Sequence, residues 1–207
     1  GIFRELENDK RFSYTFGADL AVAYNFTSIF VAQQLYADLK YRCLGVSIGS
    51  KERHSEFNNP LLSSGGLTFS GNARPVPQVR VGIPEYTVVP GTKGWLAFKG
   101  HIAYGIFTDD GWQKDFVAPG NKYTEHVLYH SKDLYVKIGN QEKFPLILEG
   151  GLEMAAQFGG NAFIGDQKID MPNGIKDFFK VFIPSGGGSE TPTGEQTNVY
   201  GNHLGSW

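Results

Sequence analysis

The chain has 207 residues, of which 14% are aromatic and 19% are charged, and its formal net charge is −2. This balance creates no general attraction for nucleic acid, so no nucleic-acid partner is expected. The single cysteine, Cys43, excludes an internal disulfide and a multi-cysteine metal site, and the 27 glycines argue against a helix-rich domain.

The first predicted strand, 12–24, has an apolar face without a polar break. Every second residue is apolar: Phe12, Tyr14, Phe16, Ala18, Leu20, Val22 and Tyr24. The strand is longer than the five or six residues of a typical soluble strand, and about nine to eleven tilted residues cross a bilayer. Aromatic residues at both ends of the face are typical of membrane interfaces. The pattern predicts a transmembrane β-strand.

Six further segments alternate in the same way, which gives about seven strands in all. They are 29–41, 44–48, 77–83, 94–108, 125–139 and 146–158. Gln33 is the one violation within 29–41, and 125–139 has a poorer pattern that does not define where the strand starts. The face opposite the apolar one carries charges, namely Asp19, Asp38, Lys40, Arg80, Lys99, Glu149 and Glu153. A soluble β-sandwich also alternates, so this feature alone does not decide between the two folds.

Long and short connections alternate along the chain. The long ones are predicted at 51–75, 109–124 and 159–205, and the short ones at 42–43, 84–93 and 140–143, with the short 25–28 as an exception. This is the pattern of an outer-membrane barrel with long external loops. The last loop carries a predicted helix, 174–182, expected to pack on the barrel mouth, and then a disordered-looking stretch, 185–197. The favoured fold is an all-β, antiparallel, up-and-down transmembrane β-barrel.

Several ordered motifs resemble one family of membrane proteins. They are 35–41 running into 47–52, 72–80, 92–96, 129–132, and 149–153 followed by 157–160. Together they resemble the Wzi-type capsule-assembly outer-membrane proteins, in the form found in Bacteroides-like bacteria. The resemblance extends over nearly the whole chain.

The resemblance implies a cell-surface lectin in the outer membrane of a Gram-negative bacterium. Such a protein binds capsular or surface polysaccharide and helps attach and assemble the capsule, with no catalytic activity and no cofactor. Residues 1–207 would form part of a single barrel domain whose N- and C-terminal remainder is missing. We expect a monomer whose partners are the polysaccharide and outer-membrane lipid.

The long loops supply the predicted polysaccharide contacts. Aromatic faces stack on apolar sugar faces, and Asn, Asp and Arg side chains satisfy sugar hydroxyls. The candidates are Asn72, Arg74, Asp109, Asp110, Trp112, Phe116 and Tyr123. The alternative is that the aromatic residues pack each loop down on the barrel.

A second group of charged residues is predicted to line the barrel lumen: Arg80, Lys99, His101, Glu149 and Glu153. They would either plug the barrel as a charge network or tune a channel. Glu149 and Glu153 share a strand face roughly 13 Å apart, at ~3.3 Å per residue, whereas glycosidase carboxylates lie about 5 to 10 Å apart. His126 and His130 have no third ligand at a convincing spacing, so no metal site is expected.

Three other classes of protein stay open as alternatives. A porin or transporter for small solutes or saccharides requires an open, charge-lined lumen. A surface enzyme acting on polysaccharide requires a carboxylate pair within catalytic distance, which no motif supplies. A soluble β-sandwich requires that the apolar faces point into a core.

Overall fold

A computed structural model describes residues 2–3, 11–22, 30–53, 74–108, 111–118 and 120–183. The chain is mostly antiparallel β-sheet with two short helices, so the all-β prediction is confirmed. It divides into two compact units. The first unit comprises Gly1–Ala103 and Lys132–Glu153, and the second unit comprises Tyr104–Ser131 and Met154–Trp207.

The strands form one large sheet and one small sheet. In chain order they are β1 Ile2–Phe3, β2 Phe12–Val22, β3 Phe30–Tyr41, β4 Leu44–Ser50, β5 Gln78–Val88, β6 Leu96–Ile106, β7 Lys122–Glu125, β8 Leu128–Ile138, β9 Leu148–Phe158, β10 Asn161–Ile164 and β11 Gln167–Asp170. The large sheet has eight strands in the order β1-β2-β3-β4-β5-β6-β8-β9, and the small sheet has the order β11-β10-β7. The helices are α1 Trp112–Phe116 and α2 Ile175–Phe182. The seven long strands of the large sheet overlap the seven predicted segments.

Strand β5 is longer than predicted. The sequence predicts a connection at 84–93, but the strand continues through Pro84 to Val88. The paired residues of β4 and β5 end at Gly45 and Gly82, so Pro84 lies beyond this ladder. A proline without an N–H group is tolerated there because no hydrogen bond to β4 is lost.

A β-bulge explains the break in the alternation of β3. The register between β2 and β3 shifts between Asp19 and Leu20, because Asp19 pairs with Gln34 and Leu20 pairs with Ala32. Gln33 is the extra residue, and it is the position that violates the predicted pattern. Beyond the bulge the pairing phase changes by one residue, and Val31 pairs with Ala21. The predicted continuation of the apolar face through the Ile29 and Val31 side chains lies outside the described residues.

The long connections contain more regular structure than expected. The predicted loop 109–124 includes α1 and the start of β7, and the predicted loop 159–205 includes the hairpin of β10 and β11. These four-residue strands are too short to give a clear periodic signal. The predicted helix is confirmed as α2, where the carboxylate of Asp177 accepts a hydrogen bond from the Gly174 N–H at 3.0 Å. The predicted turn 25–28, most of the loop 51–75 and the stretch 185–197 lie outside the described residues.

The second unit has a small apolar core beneath its short strands. Val127, Ala162 and Met171 are buried there, and Phe107 and Ile169 pack against them. Helix α2 packs on β6 and β9 through Phe178, whose ring lies 5.3 Å from Tyr104 and 5.0 Å from Phe158 between centroids. The Tyr104 hydroxyl also donates to the Phe178 carbonyl oxygen at 2.8 Å. No helix in the described part of the chain is long and apolar enough to cross a membrane.

In the first unit, apolar side chains are exposed and polar side chains are buried on the same strands. Ser13 is 5% exposed and Asp38 is 7% exposed, whereas Leu39, next to Asp38, is 48% exposed. The exposed apolar side chains on these strands include Phe12, Tyr14, Phe16, Leu20, Val22, Leu35, Leu39, Tyr41, Leu44, Ile48, Val79, Val81, Ile102, Leu134, Ile138, Leu148 and Leu152. This is the reverse of the burial pattern of a soluble sandwich.

Two tyrosines of the polar face cover glycines on the neighbouring strand. The Tyr36 ring lies over Gly17, and the Tyr135 ring lies over Gly151. A Cβ atom at Gly151 would lie 2.2 Å from Tyr135 Cδ1, and Tyr135 is 1% exposed, so its ring cannot swing away into solvent. The glycines therefore provide space that the tyrosine rings need.

The adjacent glycines Gly150 and Gly151 offer a matched test of this packing. We expect Gly151→Ala to lower the free energy of unfolding by about 1–3 kcal/mol, because the new methyl group overpacks the Tyr135 ring. Gly150→Ala adds the same methyl group on the other side of β9, where no atom lies within 4 Å. It should leave stability unchanged or raise it by roughly 0.4–1 kcal/mol. Denaturant unfolding of both variants measures the difference, and equal effects would contradict the packing role of Gly151.

Candidate functional site

The polar face of the first unit contains a cavity of about 210 Å³, called here the polar pocket. Strands β3, β4, β5, β6 and β8 supply its walls, together with residues that follow β4. Its charged and aromatic lining residues are Asp38, Lys40, Lys51, Arg53, Arg80, Lys99, His101, Asp133 and Tyr135. Such a concentration of ionisable groups in one concave region is the principal candidate site of the described chain.

Strand register brings part of this lining together. Asp38 pairs with Ser47, and Ser47 pairs with Arg80, so these three residues form a row across β3, β4 and β5. Glycine allows β5 and β6 to approach each other closely. A Cβ atom at Gly82 would lie 2.2 Å from the Gly100 carbonyl oxygen, so a side chain would not fit there. Both glycines line the pocket, so the absence of side chains also leaves space inside it.

Asp133 is the centre of the hydrogen bonding on one side of the pocket. Its Oδ1 atom accepts the His101 backbone N–H at 2.7 Å and also lies 2.7 Å from His101 Nδ1. Its Oδ2 atom lies 3.8 Å from an Nη atom of Arg80. The Asp133 side chain is only 9% exposed, and a buried carboxylate is tolerated when it has partners of this kind. Asp133 therefore joins β5, β6 and β8.

Asp38 and Lys40 lie on the opposite side of the pocket. Lys51 forms an ion pair with Asp38 Oδ2, and its Nζ atom lies 4.6 Å from the centroid of the Tyr36 ring. Lys40 is buried and pairs with Glu85 at 2.8 Å. The second carboxylate oxygen of Asp38, Oδ1, is buried without a hydrogen-bond partner among the described residues. It is an acceptor available to a donor in the pocket.

Lys99 lies between two tyrosine rings. Its Nζ atom is 4.7 Å from the centroid of Tyr86 and 5.3 Å from that of Tyr135. The Tyr135 hydroxyl donates to Glu153, and the Tyr86 hydroxyl lies 3.5 Å from Glu149. Cation–π contacts of this kind position an ammonium group over aromatic rings.

The predicted lumen residues thus fall into two groups. Arg80, Lys99 and His101 line the polar pocket. Glu149 and Glu153 instead contact the hydroxyl groups of Tyr86 and Tyr135, and Glu149 also pairs with Lys137 at 2.9 Å. All five lie in the first unit on the same face of the sheet as the polar pocket.

Of the predicted loop residues, the structure describes the side chains of Arg74, Phe116 and Tyr123. Asn72, Asp109 and Asp110 lie outside the described residues, as does the side chain of Trp112, which begins α1. Arg74 is exposed in the first unit, just before β5.

The other two loop candidates belong to the second unit. Phe116 is 67% exposed at the end of α1. Tyr123 stacks on Phe163 with ring centroids 4.7 Å apart, which is the internal packing considered as the alternative to sugar contact.

Several pocket residues were not among the predicted site residues. Asp133 and Tyr135 could have been found, because they alternate with Leu134 and Val136 and so lie on the polar face. Asp38 and Lys40 likewise alternate with apolar residues on β3 and so lie on its polar face. Lys51 and Arg53 carried no such signal, because they follow β4 in a stretch read as the start of a loop.

The pocket has the chemistry of a binding site. Within the described residues, no group of three or more His, Cys, Asp or Glu side chains could hold a metal ion. Ammonium and guanidinium groups favour anions, carboxylates accept hydroxyl donors, and tyrosine rings supply apolar surface. Comparison with protein families, curated proteins and solved structures finds no match for this chain.

Substitution of Asp133 tests whether its contacts hold the pocket together. We expect Asp133→Ala to lower the free energy of unfolding by about 3–5 kcal/mol, because it removes one partner of a buried charge pair. Asp133→Asn retains an oxygen for the His101 N–H and should cost distinctly less. Denaturant unfolding of the two variants provides the comparison. If alanine and asparagine cost the same, the hydrogen bond to His101 contributes nothing.

Proposed function

We propose that this chain is part of an outer-membrane β-barrel that holds capsular or other surface polysaccharide at the surface of a Gram-negative bacterium. The proposal of a membrane location rests on the reversed polarity of the first unit, in which apolar side chains are exposed and charged side chains are buried. A lipid environment accounts for the exposed apolar face, and an enclosed polar interior accounts for the other.

Strand length supports the same proposal. Strands β2, β5, β6, β8 and β9 each have 11 residues. About nine to eleven tilted residues span the hydrocarbon core of a bilayer. Soluble proteins rarely leave a contiguous apolar patch larger than roughly 300–600 Å² exposed to water. The apolar face of several long strands is better suited to contact with lipid than with water.

Exposed aromatic residues lie at or beside the short connections. Tyr41 precedes the turn 42–43, and Phe12 pairs with it on β2. Trp95 and Phe144 lie in the connections 89–95 and 139–147, and both are exposed. Membrane β-barrels have aromatic girdles at the two interfaces, where amphipathic rings contact the headgroups. These residues would form the girdle on the side of the short turns.

The polysaccharide part of the proposal rests on the resemblance to the Wzi-type proteins and on the chemistry of the polar pocket. Cations, carboxylates and tyrosine rings together match the mixed polar and apolar surface of a sugar. Retention requires no reaction, because many weak contacts along a repeating polymer add to firm attachment. In this proposal the protein is a monomeric lectin with no catalytic activity.

A pair of exposed leucines distinguishes a membrane strand from a soluble one. Leu35 lies in the middle of β3 and is 60% exposed, and Leu44 lies beside the turn 42–43 and is 55% exposed. For a membrane strand, Leu35→Arg should lower the free energy of unfolding by about 2–4 kcal/mol and Leu44→Arg by about 0–1 kcal/mol. For a soluble strand, both should stay within roughly 0.5 kcal/mol. The measurement is equilibrium unfolding of the full-length protein in lipid vesicles.

Deletion of the gene tests polysaccharide retention in cells. We expect more capsular polysaccharide in the medium and less on the cells, with total synthesis unchanged, because polymer is still exported but no longer held. Cell-bound and shed polymer are quantified with and without the gene, and with the gene restored. Unchanged attachment would contradict the lectin function. Conductance of the full-length protein in planar bilayers would then test the porin alternative.

A further inference from the structure

We propose that the polar pocket binds a negatively charged sugar unit, such as a uronate, of the retained polysaccharide. This inference rests on the proposed function and adds the chemical class of the ligand. It assigns recognition to the polar face of the first unit rather than to the long loops alone.

The charge of the pocket favours an anion. Its lining contains five cationic side chains, Lys40, Lys51, Arg53, Arg80 and Lys99, against the carboxylates of Asp38 and Asp133. Among the described residues, the formal excess of positive charge remains when Glu85, Glu149 and Glu153 are counted together with Lys137, the partner of Glu149. A concave surface with low-dielectric walls strengthens such a field and attracts the opposite charge.

The pocket also offers groups that a simple anion does not need. Asp38 is 7% exposed, and its Oδ1 atom is a buried acceptor with no partner among the described residues. A sugar hydroxyl donates to such an oxygen, whereas acetate has no donor to offer it. The Tyr135 ring adds an apolar surface to the same wall. A ligand carrying both a carboxylate and hydroxyl groups uses all of these features.

The size of the pocket limits the ligand to one small unit. Sites for drug-sized molecules have volumes of roughly 300–1,000 Å³. The polar pocket, at about 210 Å³, is smaller than this range. One monosaccharide unit or its charged substituent is therefore the expected occupant, with the rest of a polymer outside.

Titration with three small probes tests the inference on the full-length protein in detergent micelles. The probes are D-glucuronate, D-glucose, which lacks the carboxylate, and acetate, which lacks the ring. We expect glucuronate to bind at least about tenfold more tightly than either control, a difference of ~1.4 kcal/mol. Its affinity should fall with salt, because the Debye length shortens from about 30 Å at 0.01 M to about 3 Å at 1 M. Equal binding of glucose or acetate, or no binding of glucuronate, overturns the inference.

Two lysine variants place the binding in the pocket. Lys99→Gln removes a cation of the lining and should weaken glucuronate binding about tenfold, because hydrogen bonds to charged groups are stronger than those to neutral groups. Lys143→Gln removes the same charge from the exposed connection 139–147, outside the lining, and should leave binding unchanged. Arg53→Gln is a second pocket variant for use if Lys99→Gln does not fold. An unchanged affinity in the folded pocket variant overturns the assignment to this pocket.

A parallel titration with purified capsular polysaccharide separates this inference from the proposed function. Polymer binding that is insensitive to salt and to Lys99→Gln would overturn the acidic-sugar inference and leave the lectin function in place. Complete absence of polymer binding by the wild-type protein would overturn the lectin function, and with it the inference.

Discussion

The burial of charge on one face of the large sheet is the constraint on which the first unit depends. Because side chains alternate along a strand, an outward apolar residue places its neighbours on the inner face. The inner neighbours here include Asp38, Lys40, His101 and Asp133. Each buried charge must find a partner or destabilise the fold. The ion pairs Lys40–Glu85 and Arg80–Asp133 each link two strands that have another strand between them. The exposed apolar face and the polar pocket are two results of one pattern.

Glycine has a specific place in this arrangement. Tyrosine rings on the polar face need space that a neighbouring side chain would occupy, and Gly17 and Gly151 provide it. Gly82 and Gly100 have a second effect, because they line the pocket and allow close approach of adjacent strands. The high glycine content noted in the sequence is thus partly explained by the packing of large rings and by the shape of the pocket.

The sequence predicted the long strands well because each had enough residues to show a two-residue period. The one break in the alternation of β3 was also informative, because Gln33 marks the bulge between β2 and β3. The four-residue strands β7, β10 and β11 were missed because so few residues show no period. The alternation of polar and apolar residues identified three pocket residues, namely Arg80, Lys99 and His101. Lys51 and Arg53 were missed because their place depends on how the chain folds back after β4, which no local pattern records.

The pairing of β7 with β10 has a consequence for the order of folding. These strands are neighbours in the small sheet, yet β8 and β9 lie between them in the chain. Tyr123 can therefore meet Phe163 only after the chain has passed through β8 and returned through β9. Contacts between residues so far apart in sequence are slow to form, because a long loop must close first. The small sheet is thus expected to assemble late. Its formation during folding would indicate that the β8–β9 hairpin is already complete.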